Sequence, residues 1–209
     1  MNLPNKLYHY SPWPMDFCHD GHDFHKRMRE SEAINIKPFG LWVSVEDDPE
    51  DTNWASWCED IEFRLEGLRY RYSVKLKPDA NILCLSTSDE IIQFGHKYCL
   101  DSEFNTTIRM RFNDDSKSIL YLDWQRLYKE YDGLIIAPYN WFCRLRLETT
   151  WYYGWDCSSG CIWNDNAVEY VLLDSIKEID MEKVRQKDLE FQEVGKMLGL
   201  QPEVLGLLT

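Results

Sequence analysis

The sequence lacks several features that would point to common classes of protein. It has no apolar run of about eighteen residues, the length that a membrane-spanning helix needs. The segment Met1–Lys6 has no apolar stretch of the kind found in a secretory signal peptide. Its ten glycines form no GxGxxG turn, no GxxxxGK[S/T] phosphate loop and no GxSxG nucleophile elbow. A protein with this sequence that handles a nucleotide therefore needs another architecture.

Cysteine and histidine patterns predict neither a disulfide framework nor a metal site. The seven cysteines are odd in number and scattered, and no paired CxxC motifs are present. Together with the missing signal peptide, this predicts a cytoplasmic protein. His19, His22 and His25 would share one face of a helix, where a metal could bind. No complete ligand set accompanies them, so a solvated polar face is the preferred interpretation.

The charge balance argues against a general nucleic-acid binder. Lysine and arginine number 23 against 36 acidic residues, a net charge of −13. Such a chain repels phosphate backbones and anionic membranes at long range. One stretch is nevertheless basic, and it contains Arg64, Arg69, Arg71, Lys75 and Lys77. A positively charged binding surface at this stretch is one interpretation, and a solvated strand face is the preferred one.

Composition and periodicity predict one folded domain over residues 1–209. Hydrophobic residues make up 44% of the chain and aromatic residues 14%, enough for a large core. Alternating or continuous apolar patterns predict strands at 7–11, 41–45, 68–77, 82–85, 133–137 and 168–173. Helical patterns occur at 22–33, after Asn53, after Thr87, at 119–130 and at 179–199. Because strands and helices mix without regular alternation, we expect an α+β fold with a split, mostly antiparallel mixed sheet and flanking helices.

Three dispersed residues are the strongest functional candidates. His9 lies in the strand Leu7–Ser11, Trp42 in Leu41–Val45, and Glu169 in a late strand of apolar residues. Each taken alone is better explained as a core histidine, a core tryptophan or an edge-strand glutamate. Their occurrence together and in this order favours a functional site over these separate explanations.

The three motifs resemble those of the ADP-ribosyltransferase superfamily, in the branch with a His–Tyr–Glu triad. Leu7-Tyr8-His9 is similar to the opening motif of that branch, and Gly40-Leu41-Trp42-Val43-Ser44 to its second strand. Trp42 stands where tyrosine is usual. Ala167 precedes Glu169 by two residues, so the Glu-x-Glu motif of arginine-modifying relatives is missing.

The resemblance implies an ADP-ribosyltransferase-like fold and an enzyme that uses NAD as its co-substrate and needs no metal. Glu169 would be the catalytic carboxylate, and the NAD-binding residues would be His9, Trp42, Ser44 and Tyr8. Acceptor recognition would fall to the aromatic segment before Glu169, through Trp151, Tyr153, Trp155 and Trp163.

The sequence does not decide which molecule accepts the ADP-ribose. The resemblance implies transfer of a single ADP-ribose to a macromolecule, with protein and nucleic acid weighed evenly. Relatives of this small kind are often toxins, phage effectors or defence proteins, which makes an inhibitor or antitoxin a candidate partner. Two alternatives remain: a non-catalytic binding module on the same fold, and an NAD glycohydrolase that uses water as the acceptor.

Overall fold

The computed structural model describes residues 3–15, 37–47, 51–100, 119 and 121–197. The predicted helix at 22–33 and the residues His19, His22 and His25 lie outside the described residues.

One sheet of seven strands organises the described chain. The strands are β1 (Leu7–Ser11), β2 (Leu41–Val45), β3 (Tyr70–Leu76), β4 (Ile82–Leu85), β5 (Gly133–Ile136), β6 (Ser159–Ile162) and β7 (Val168–Ile176). Their order in the sheet is β4-β5-β6-β2-β1-β3-β7. Only β4 and β5 pair in parallel, and the other neighbours are antiparallel. The prediction of an α+β fold with a mostly antiparallel mixed sheet is confirmed.

The predicted split of the sheet is wrong as stated, because β2 joins the two halves into one hydrogen-bonded sheet. β2 pairs with β6 from Leu41 to Ser44. Its pairing with β1 is much shorter and covers only Leu7 with Val45 and Tyr8 with Ser44. All of β1, by contrast, pairs with β3. The halves are therefore joined at one end of the β1–β2 pair and part beyond Tyr8.

Within the described ranges, five α-helices accompany the strands: α1 (Trp54–Ile61), α2 (Ser88–Lys97), α3 (Trp124–Glu130), α4 (Trp141–Arg144) and α5 (Met181–Met197). The N-cap predicted at Asn53 begins α1, and the capping box predicted at Thr87 begins α2; the structure forms a capping box at both. The helix predicted from residue 119 begins only at Trp124, because the Asp123 side chain accepts from the Arg126 N–H and caps it there.

Apolar residues pack both faces of the sheet, since neighbouring side chains of a strand point to opposite faces. In β5, Leu134 and Ile136 belong to one core and Ile135 to the other. The first core also holds several of the large rings, with Trp151, Trp155 and Trp163 fully buried. This aromatic core fixes the segment between α4 and β6, which forms one wall of the site described below.

The predicted C-terminal helix at 179–199 corresponds to α5, whose start is held by ion pairs. Glu62, just after α1, lies 2.7 Å from Lys183 Nζ and 2.6 Å from Lys187 Nζ. Hydrogen bonds from these two ammonium groups lower the pKa of Glu62 to about 2.

No helix in the described ranges combines the length and the apolar character that crossing a bilayer requires.

Replacing Gly95 with alanine tests the close packing of α2 against the aromatic core. A Cβ at Gly95 would lie 2.7 Å from Trp151 Nε1, and the buried Trp151 has no room to move. We expect overpacking to outweigh the helix propensity gained by alanine, with a net loss of about 1–2 kcal/mol in the free energy of unfolding. Urea denaturation measures it.

Gly67→Ala is the matched control, because a Cβ there meets nothing within 4 Å. Its unfolding midpoint should stay near that of the unaltered protein. Equal midpoints for the two variants would contradict the tight packing at Gly95.

Candidate functional site

A cavity of about 280 Å³ lies where β1 and β2 part. Four residues predicted from the sequence line it together: Tyr8 and His9 from β1, and Trp42 and Ser44 from β2. They come from two motifs more than thirty residues apart. Strand pairing that stops after Tyr8 leaves room here for side chains and a ligand in place of a continuous sheet.

His9 links the two strands at the point where their backbone pairing ends. Its Nδ1 lies 2.8 Å from the carbonyl oxygen of Trp42. A carbonyl oxygen only accepts, so Nδ1 carries the hydrogen, and Nε2 is the acceptor of the neutral imidazole. This contact fixes the orientation of the ring.

Aromatic side chains form much of the cavity wall. Trp42 is half-buried, and its ring centroid lies 5.0 Å from that of the buried Trp155. Trp54, at the start of α1, also lines the cavity and stacks on Trp57 at 5.2 Å. The Trp54 N–H donates to Ser44 Oγ at 3.0 Å, which leaves the Ser44 hydroxyl hydrogen to donate elsewhere. Such walls suit a flat ring with a few polar groups.

Asp156 is a cavity residue that the sequence analysis missed. Its Oδ1 lies 3.1 Å from Arg144 Nη1, and both side chains are largely covered. Arg144 Nη1 also donates to the Tyr139 hydroxyl at 2.6 Å. A partly buried ion pair of this kind holds the carboxylate in one place. One signal was present: Asp156 is the only charged residue between Trp151 and Trp163.

Glu169 lies away from the cavity. It is in β7, the edge strand beyond β3, where its side chain is 42% exposed and lies 3.3 Å from Lys75 Nζ. His9 pairs with Tyr72, which pairs with Leu173, so Glu169 is four residues further along β7. That is about 13 Å along the strand and about 10 Å across two strand spacings. The sequence-based prediction grouped Glu169 with His9 and Trp42, and the structure separates them.

A β-bulge explains why a glutamate interrupts the apolar pattern of β7. Lys75 pairs with Tyr170 and Leu76 with Val168, so Glu169 is the extra residue between them. Bulges and charged side chains protect an edge strand from pairing with another chain. The sequence order could not reveal this, because the chain has two late strands, β6 within the aromatic segment and β7 after it, and β6 rather than β7 pairs with β2.

Most of the predicted acceptor-recognition rings are core residues. Trp151, Trp155 and Trp163 are fully buried, whereas Tyr153 is 58% exposed. The three buried tryptophans offer no ring face to an acceptor, so that prediction is corrected for them: their role here is packing. Tyr153 remains at the surface, 5.0 Å from the Arg144 guanidinium.

Two of the five residues of the basic stretch, Arg71 and Lys75, are neutralised by carboxylates of a neighbouring strand. Arg71 Nη2 lies 2.6 Å from Asp174, and Lys75 pairs with Glu169. Both carboxylates belong to β7, the strand next to β3. This face of the sheet therefore carries alternating charges, which is a poor surface for a phosphate backbone.

In the described ranges, no group of three or more His, Cys, Asp or Glu side chains is placed to hold a metal ion. Comparisons of the chain with protein-family models, curated proteins and solved structures find no match. The cavity itself combines aromatic walls, one imidazole acceptor, one arginine-bound carboxylate and the Lys37 amine. These groups can bind a flat ring joined to a hydroxylated, charged moiety.

Cysteine chemistry at the cavity is unfavourable, and thiol labelling tests this. Burial raises the pKa of Cys157, which lines the cavity, to about 12, and raises the pKa of the buried Cys161 as well. At pH 8 a thiol with a pKa near 12 is about one part in ten thousand thiolate. We expect iodoacetamide to leave both residues unmodified in the folded protein from pH 7 to pH 9, as measured by peptide mass spectrometry.

The partly exposed Cys99 serves as the internal reference and should react first. In urea all three cysteines should react. Rapid labelling of Cys157 in the folded protein would mean that the cavity holds a reactive nucleophile.

Proposed function

We propose that this protein is an NAD-dependent ADP-ribosyltransferase that binds nicotinamide and its ribose in the cavity between β1 and β2. The observation that carries this proposal is the meeting of Tyr8, His9, Trp42 and Ser44 at one cavity. The two motifs that supply them resemble those of ADP-ribosyltransferases, and the cavity lies where the strands bearing them part. An aromatic cleft with a few fixed polar groups is a suitable site for such a ligand.

The binding roles follow from the groups at the cavity. The Trp42 ring stacks on the nicotinamide. His9, held by the hydrogen bond between its Nδ1 and the Trp42 carbonyl, contacts the ribose. The Ser44 hydroxyl donates to the carboxamide oxygen of the nicotinamide. Together these contacts fix the sugar and the leaving group relative to each other, which lowers the entropic part of the barrier.

Asp156 is the carboxylate that this chemistry needs. Cleavage of the bond between nicotinamide and ribose passes through an oxocarbenium-like transition state, and nicotinamide leaves as a neutral molecule, so no acid is required. A carboxylate near the anomeric carbon stabilises the developing positive charge. Among the described residues that line the cavity, Asp156 is the only acidic one. Arg144 holds it in place, and Glu169 takes no part in this scheme.

A protein side chain is the acceptor that the surface supports best. Stacking on a nucleic-acid base would need exposed rings, whereas three of the four predicted rings are buried. The net charge of −13 and the ion-paired Arg71 and Lys75 also disfavour a phosphate backbone. The burial of those rings equally favours a second candidate, an NAD glycohydrolase, for which water is the acceptor.

Nicotinamide release from NAD by the purified protein, with and without cell lysate, tests the proposal. We expect Asp156→Asn to lower the rate at least about 100-fold, the effect of losing a preorganised charge that acts in the transition state. Glu169→Gln is the matched control and should stay within about twofold. Melting temperatures of both variants check that they fold.

Labelled NAD then identifies the acceptor. Label that protease destroys indicates a protein, label that nuclease destroys indicates a nucleic acid, and nicotinamide release without labelled macromolecule indicates hydrolysis. No release under any of these conditions would refute the enzymatic assignment. If Glu169→Gln released no nicotinamide and Asp156→Asn still released it, Asp156 would not be the catalytic carboxylate and Glu169 would be.

A further inference from the structure

Lys37 occupies a defined position at the cavity, and the sequence analysis gave it no role. Its Nζ lies 5.3 Å from the centroid of the Trp42 ring. On another side, a Cβ at Gly154 would lie only 2.6 Å from Lys37 Cε. The lysine stem is therefore packed between an aromatic ring and a glycine that leaves room for it. Because the residue keeps solvent exposure and lines the cavity, it belongs to the mouth.

The ammonium group of Lys37 has no fixed counterion in the part of the chain that the structure describes. Among the described residues, none forms an ion pair or a hydrogen bond with it. The nearby carboxylate of Asp156 is bound by Arg144 at 3.1 Å. Crowding of the amine by protein atoms lowers the pKa of Lys37, an effect that Asp156 opposes. An anion placed beside the amine would offset this cost of carrying a charge.

The cavity's size and walls identify the kind of anion. At about 280 Å³ it is at the lower end of the range for ligand sites, and it suits one ring with its sugar. Trp42 and Trp54 provide flat surfaces for the ring. A ligand seated in this way places the group attached to its sugar at the mouth, where Lys37 lies. Nucleotides combine a flat ring, a sugar and a phosphate in this order.

We propose that Lys37 binds the phosphate of a nucleotide whose ring and ribose occupy the cavity. This proposal depends on the function proposed above in one respect only: it takes nicotinamide as the ring of the nucleotide. Lysine binds phosphate as a point charge. Lys37 is thus a binding residue that distinguishes nucleotides from nucleosides.

Calorimetric titration with nicotinamide mononucleotide and with nicotinamide riboside tests the proposal, because the two ligands differ only in the phosphate. We expect the unaltered protein to bind the mononucleotide at least about tenfold more tightly, the size of one hydrogen bond to a charged group. In Lys37→Met this preference should disappear, while the Kd for the riboside stays the same.

Two further variants make the result specific to the amine at this position. Lys129→Met removes an exposed lysine of α3 and should keep the full preference. Gly154→Ala keeps the charge but displaces Lys37 Cε, so it should reduce the preference in part.

The outcomes separate this inference from the enzymatic proposal. A tenfold preference that survives in Lys37→Met, equal affinities in the unaltered protein, or no binding of either ligand would each overturn the role of Lys37. If the preference is present and depends on Lys37 but NAD is not cleaved, the enzymatic proposal fails and the phosphate site stands.

Discussion

The short pairing of β1 with β2 is the constraint on which the candidate site depends. Two residue pairs hold the halves of the sheet together, and beyond Tyr8 the His9 side chain contacts the Trp42 carbonyl in place of a backbone hydrogen bond. A sheet that continued through this point would leave no cavity. Because β1 remains fully paired with β3, and β2 with β6, each strand is fixed on its other side. The opening is therefore rigidly framed, which suits a site that must hold a ligand in one orientation.

Charge is distributed unequally between this opening and the rest of the surface. At the edge of the sheet, acidic residues of β7 neutralise the basic residues of β3. At the cavity, Asp156 is bound by Arg144, whereas Lys37 keeps a charge without a partner among the described residues. The acidic chain repels a phosphate backbone at long range, and the phosphate site that we propose at Lys37 needs only this one cation. This arrangement favours a small anionic ligand over a polyanion.

Local patterns predicted much of the fold because local interactions decide it. Asn53 and Thr87 cap their helices through contacts within four residues, and alternation in β3 puts Tyr72 and Val74 inside. The residues of the cavity were predictable only within the two motifs, at Tyr8, His9, Trp42 and Ser44. Asp156 was missed because its stretch has no period, and Glu169 was misplaced because an edge-strand bulge gives the same sequence signal as a buried glutamate. The buried tryptophans 151, 155 and 163 could not be told from ligand-binding rings, since composition alone does not report exposure.

By itself the sequence determined the fold class, the apolar faces of the strands, the starts of α1 and α2, and the two motifs that meet at the cavity. Those features depend on residue type and on spacings of a few residues. Only the tertiary structure decided which late strand lies next to β2, which carboxylate faces the cavity, and that Lys37 lies over Trp42. These are contacts between segments distant in the chain. They depend on how the whole sheet and its aromatic core pack together, and that packing leaves no local pattern in the sequence.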